Sequence, residues 1–206
     1  TREMNEEEAY RVDLGQIDFD ALREHFRKGR KRTVLEKLKR AIENRLNTMV
    51  ELNHNRMDYL EKFQEMIKEY NLGSKNIDEF FKELQAFVHE LDEEDKRGIR
   101  EGLSEEELVL FDILTKPEMD LSEKEKAGVK QVARQLLDRL KEEKLVLDWR
   151  KKQQTRAMVK LTIETILDNL PRTYAPDIWQ AKCDLVFQHV FDHYQDANHS
   201  VYAEAG

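Results

Sequence analysis

The chain has 206 residues, 38% of them charged and 39% hydrophobic, with a net charge of -8 and a single cysteine, Cys183. That length can bury the core of one large or two small domains. The acidic balance excludes a protein that coats nucleic acid by bulk charge and leaves only local basic patches for such a role. A lone cysteine excludes an internal disulfide, and no apolar run approaches the ~18 residues that suggest a membrane span, so a reducing cytoplasm is the expected setting.

Residues 1–17 are acidic and aperiodic and read as a linker or arm. Asp18 or Asp20 then caps a short helix running toward Gly29. Residues 33–71 contain neither Gly nor Pro and stop just short of Gly73, which suits a left-handed cap. Within that stretch eleven apolar positions from Leu35 to Tyr70 stand 3.5 residues apart on average, the spacing of a coiled-coil stripe, and predict one long helix. The polar run Asn53-His54-Asn55 either lies on its far side or marks a local break. Ile77, Phe80, Phe81, Leu84, Phe87, Val88 and Leu91 repeat at three and four, predicting a helix with one wide apolar face whose phenylalanines dock on the long helix.

Two capping boxes follow, Ser104 with Glu107 and Ser122 with Glu125. The first opens a helix that ends near Pro117. The second opens one carrying Val129, Val132, Leu136 and Leu140. Beyond Trp149 a helix bears Val159, Ile163, Ile166 and Leu170 before Pro171, and Asp177 is positioned to cap a last helix with Trp179, Val186, Val190 and Tyr194. Nothing alternates with period two for long. The expected architecture is all-α: an elongated helical domain over 18–196, built on the coiled-coil-like helix 33–71 with shorter helices packed over 76–196, and a frayed tail at 197–206.

Chemistry-bearing motifs are sparse. No Gly precedes a Lys-Ser or Lys-Thr in a phosphate loop, and no GxGxxG occurs. Pro176-Asp177 with Lys182 is too tightly spaced, and lacks a second acid, for a carboxylate-lysine nuclease site. It reads instead as a helix start. His189 and His193 stand four apart on one helical face with Cys183 and Asp192 nearby, an arrangement able to hold zinc. Cys183 does not share that face and four ligands are not met, so ordinary histidines are the stronger reading and no metal is assigned.

Two basic runs stand out. Residues 23–40 hold Arg23, Arg27, Lys28, Arg30, Lys31, Arg32, Lys37, Lys39 and Arg40 against Glu24 and Glu36, a local charge of +7. A solvated face, DNA phosphates or an acidic protein neighbour would each account for it. The second run, Arg150, Lys151, Lys152, Arg156 and Lys160, opens a helix where the macrodipole mildly opposes cations, which points to an outside partner. Trp149 beside it is either an interface hot spot or a core tryptophan over the helix junction.

Residues 145–174, LVLDWRKKQQTRAMVKLTIETILDNLPRTY, resemble the C-terminal region of the R (restriction) subunit of type I restriction enzymes, the motor and nuclease subunit of that machine. IDFDALREHF, RAIENRLNTMVELNHNRMDYLEKFQEMI and GLSEEELVLFDILTKP resemble the same region, so the likeness runs through residues 17–194. It implies a piece of a larger bacterial or archaeal polypeptide, consistent with a first residue other than Met. The parent would be an ATP-dependent type I site-specific deoxyribonuclease, a DNA-binding hydrolase whose ATP and Mg sites lie in upstream sequence. This piece would carry no catalysis or cofactor of its own. It would dock the motor onto the modification methyltransferase subunit, and the specificity subunit is a further candidate partner. The contacts expected are Trp149, Arg150, Lys151, Lys152 and Arg156, then Arg27, Lys28, Arg30, Lys31 and Arg32. The alternatives are a DNA-contacting element beside the motor and a structural spacer that self-associates through the 3.5-residue stripe.

Overall fold

The computed structural model describes residues 17–204, so the acidic arm expected at 1–17 falls almost wholly outside the described residues. Two compact units divide the chain, Thr1–Arg97 and Gly98–Gly206. Among the described residues every regular element is helical, and the one β-type pairing is an isolated antiparallel bridge between Tyr194 and Ser200. The all-α expectation holds.

In the first unit, α1 (Phe19–Arg27) begins at Asp18, whose carboxylate accepts from the backbone N–H groups of Asp20 and Ala21 at 3.0 Å each. Asp18 rather than Asp20 is therefore the cap. Gly29, at φ +90, turns the chain into α2 (Lys31–Leu52). The long helix expected over 33–71 is not continuous. It stops at Leu52, passes through a single 3₁₀ turn (His54–Arg56), and resumes as α3 (Met57–Asn71). Asn53 causes the break: its backbone is extended (φ -146, ψ 100), and its side-chain oxygen accepts from the N–H of Asn55 at 3.1 Å. Asparagine competes with helical hydrogen bonding by bonding its own backbone, and a spacing average over apolar residues cannot register that.

The break lets α3 join α2 and α4 (Ile77–Asp95) in one core. Leu38, Ile42, Leu46, Phe80, Leu84 and Leu91 are completely shielded from solvent there, each side chain contributing about 1.5–3 kcal/mol through burial. The α2 part of the stripe is therefore consumed inside its own unit, while Leu60, Ile67 and Tyr70 of α3 pack half-buried against the same core. The phenylalanines of α4 stack on partners from α1 and α3: Phe81 on Phe26 at 4.1 Å, Phe80 on Tyr70 at 4.3 Å and Phe87 on Phe63 at 5.9 Å between centroids. At the α3 start, buried Arg56 donates to Glu94 at 3.0 Å, and Arg97 donates to the same carboxylate. Desolvation opposes ionisation of Glu94, but those two guanidinia outweigh it and hold its pKa below the usual carboxylate range.

The second unit begins at Gly98, within α5 (Arg97–Glu101). Both capping boxes form as expected: Ser104 opens α6 (Glu105–Thr115) and Ser122 opens α7 (Glu123–Arg139). In each box the serine oxygen accepts from the third residue's N–H at 3.2 Å, and the glutamate accepts from the serine N–H at 2.8 Å. A π-helical turn (Leu140–Lys144) ends α7. Then come α8 (Gln153–Leu167) and α9 (Pro176–His193), which begins with Pro176 in its first turn and Ala175 at the cap position, so Asp177 lies inside the helix instead of capping it. Packing runs α6 on α7, α7 on α8, α8 on α9 and α9 back on α6, closing a ring of four helices around one apolar core.

The segment past Asp196 is not frayed up to residue 203. The Ala197 N–H donates to the Leu145 carbonyl at 2.9 Å, Ser200 is buried, and a last turn, α10 (Val201–Glu204), follows. No helix among the described residues is long and apolar enough to cross a membrane.

Candidate partner-docking surface

The turn at residues 145–152 connects the π-turn of α7 to α8, and its side chains alternate in fate. Leu145 and Trp149 point into the core, at 3% and 0% exposed, while Val146 and Leu147 between them stand 47% and 75% exposed. Asp148 adopts the left-handed backbone (φ 58), a conformation that aspartate tolerates better than most residues, and its carboxylate pairs with Lys151 at 2.8 Å.

Trp149 is the anchor of the turn. Its indole N–H donates to the Tyr194 carbonyl at 3.2 Å, and its ring meets Phe187 and Phe191 of α9 edge-on at 6.4 and 5.9 Å. Of the two readings open for Trp149, the core one is correct. A side chain with no exposed surface cannot itself touch a partner.

The arginines beside it are also structural. Arg150 donates to the Phe191 carbonyl at 3.1 Å and lies 5.8 Å over that residue's ring. Arg156 donates to the Arg150 carbonyl at 2.6 Å, and Thr155 bonds the carbonyls of Trp149 and Lys152 at 2.6 and 3.0 Å. The inference from an opposing helix dipole fails on this geometry. Residues 150 and 151 precede α8, whose cap position is Lys152, and the Arg150 guanidinium sits at the C-terminal end of α9, where the dipole favours a cation. Of the five residues expected as contacts here, Lys151 and Lys152 remain in solvent.

What sequence reasoning missed is Val146 and Leu147. They read as part of a short apolar run, and only the inward turn of Leu145 and Trp149 on either side reveals that these two face out.

The second predicted set lies in the first unit. Lys28 pairs with Glu24 at 2.7 Å, and half-buried Lys31 pairs with Asp78 at 2.7 Å while lying 5.2 Å over the Phe26 ring. Arg27, Arg30 and Arg32 are exposed.

The histidine pair lies at the end of α9, rings 4.3 Å apart, with His193 Nδ1 2.8 Å from the His189 carbonyl oxygen. Burial, with a smaller contribution from His193, pushes the His189 pKa down to about 3, so its ring is neutral. Burial also pushes the Cys183 thiol up to about 12. Among the described residues no three His, Cys, Asp or Glu side chains gather as metal ligands. Lys182 is likewise accounted for: it is buried, its ammonium donates to the carbonyls of Ile113 and Lys116 at 2.7 and 2.6 Å, and it thereby closes the C-terminal end of α6. Desolvation lowers its pKa. A lysine so engaged has no reach toward Asp177, which is exposed.

Searches of curated proteins and of solved structures each returned no match. The family model for the C-terminal region of type I restriction enzyme HindI endonuclease subunit-like proteins matches residues 4–195. A match over nearly the whole chain settles its parentage: the protein belongs to this family, the C-terminal regions of type I restriction endonuclease subunits.

Proposed function

We propose that this chain is an assembly module that docks the ATP-dependent motor and nuclease of a type I restriction enzyme onto its modification methyltransferase subunit, acting in the cytoplasm. In this reading ATP and Mg belong to the upstream part of the parent polypeptide and catalysis is not a property of this piece. Membership in the C-terminal family supports the setting. The observation that carries the docking role is the 145–152 turn: two exposed aliphatic side chains, Val146 and Leu147, next to the cations Lys151 and Lys152, all held in place by a buried tryptophan. An apolar centre with a charged rim is the anatomy of a protein interface, and fixing the turn in advance lowers the ordering cost of binding.

The test is calorimetry of the chain against purified methyltransferase subunit, alone and with the specificity subunit. The variant Leu147→Asp with Lys151→Glu and Lys152→Glu should keep its helical content, since these side chains are exposed. It should lose at least ~2 kcal/mol of binding, about thirtyfold in affinity. Arg150 and Arg156 are left intact because they hold backbone carbonyls. Unchanged affinity in the folded variant, or no binding by the original chain, overturns the proposal.

A further inference from the structure

The corner between α1 and α2 separates its cations into two populations. Arg23, Lys28, Lys31 and Lys39 pair with Asp20, Glu24, Asp78 and Glu36 respectively. Arg27, Arg30, Arg32, Lys37 and Arg40 are exposed, and among the described residues no carboxylate pairs with them. Five uncompensated cations thus lie within fourteen residues of a chain whose net charge is -8. Four of them are arginines, whose planar forks match phosphate oxygens better than a lysine ammonium does.

Their surroundings narrow the partner. Lys37, Arg40, Asn44 and Asn47 follow the three-four spacing along the outward face of α2, all exposed, opposite the buried Leu38, Ile42 and Leu46. At 1.5 Å per residue that row is about 15 Å long. Arg27 and Arg30 extend it at its N-terminal end, around the turn at Gly29. The first turn of α2 holds no acidic residue to repel an anion there. No large apolar side chain is exposed along this row, whereas a protein interface would be expected to place one at its centre. Cations at the N-terminal end of the row and asparagine amides at its other end, with no apolar anchor, match the contacts that proteins make to a sugar-phosphate backbone.

We propose that the α1–α2 corner is a contact surface for the backbone of duplex DNA, using Arg27, Arg30, Arg32, Lys37 and Arg40 without reading base sequence. The surface is independent of the docking turn, which lies in the other unit.

The experiment measures binding of the intact chain to random-sequence duplex DNA across salt concentration. Five phosphate contacts give a slope of log affinity against log salt of about -4.5, or roughly a 500-fold loss between about 50 and about 200 mM salt. The variant Arg27→Ala, Arg30→Ala, Arg32→Ala, its fold checked by circular dichroism, should flatten that slope by about 2.7, which is 0.9 for each cation removed. A second variant, Lys37→Ala with Arg40→Ala, should flatten it by about 1.8. Lys124→Ala with Lys160→Ala, two exposed lysines of the other unit, serves as the control and should leave it unchanged. No binding by the original chain at low salt overturns the inference. So does an equal loss from the control, which would mean diffuse attraction, or unchanged affinity in both corner variants. Tighter binding to duplex RNA than to DNA overturns the choice of DNA as partner.

Discussion

The two basic runs are nearly alike in composition and opposite in fate. In residues 23–40 the arginines at 27, 30, 32 and 40 end in solvent. In the run beginning at residue 150, both arginines turn inward to backbone carbonyls, and the lysines at 151 and 152 stay outside. The difference is a supply of acceptors. The turn at 145–152 lies against the C-terminal end of α9, where helix carbonyls are left without intrahelical partners, and a guanidinium is the side chain best shaped to satisfy them. Among the described residues no helix-end carbonyl accepts from the guanidinia of Arg27, Arg30 and Arg32. Charge density in a sequence therefore locates cations without saying whether they serve the fold or face outward.

The sharpest way to break this comparison is to remove the anchor beneath the second run. Trp149→Ala should destabilise the second unit by about 3–5 kcal/mol in denaturant unfolding, the usual cost of deleting a buried aromatic. A loss below about 1 kcal/mol would mean that the turn is not held from inside.

A smaller effect distinguishes the runs directly. Arg150→Glu puts a carboxylate against the Phe191 carbonyl and should cost about 1.5–3 kcal/mol, the range for a lost hydrogen bond to a charged group. Arg32→Glu changes charge equally at an exposed site and should stay within about 0.5 kcal/mol. Equal costs for the two would erase the distinction between the runs.

The smallest effect near neutrality is titration of His189, which shares α9 with the carbonyl that Arg150 holds. Its pKa is pushed from 6.5 down to about 3 in the folded chain, so the unfolded chain binds the extra proton first. The associated stability is fully present above about pH 6.5 and is lost progressively as pH falls toward 3. At about pH 6 the loss is below ~1 kcal/mol, and it grows on further acidification. Stability measured by denaturant at stepped pH, following tryptophan emission, should show it, and His189→Asn should flatten that part of the profile. An identical profile in the variant would place the acid sensitivity in the carboxylates instead.

Much of the fold is legible in the sequence because its signals are local. A capping box joins residues three apart, so Ser104–Glu107 and Ser122–Glu125 mark their helix starts whatever surrounds them, and both form with the expected bonds. The apolar face of α4 is readable for the same reason. The candidate site is much less legible. Lys151 and Lys152 are surface cations as their charge suggests, but Trp149, left open between interface and core, is buried, and Arg150 and Arg156 are half-buried against backbone carbonyls. The misleading signal is charge at a supposed helix start, since the helix in fact begins at Gln153.

The sequence by itself determined where the two boxed helices α6 and α7 start, the apolar face of α4 and that the chain is all-α, since each follows from hydrogen bonds and side-chain spacing within a few residues. It held the break at Asn53 only as an open alternative, because an asparagine in a helix can either point outward or bond its own backbone, and the choice depends on whether a core gains by letting α3 fold onto α4. Tertiary structure alone decided the rest. Lys182 closes α6 across 66 residues of chain, Trp149 reaches Tyr194 across 45, and Val146 and Leu147 face out because their neighbours face in. Those outcomes depend on acceptors and cavities supplied by distant segments, and no local pattern carries that information.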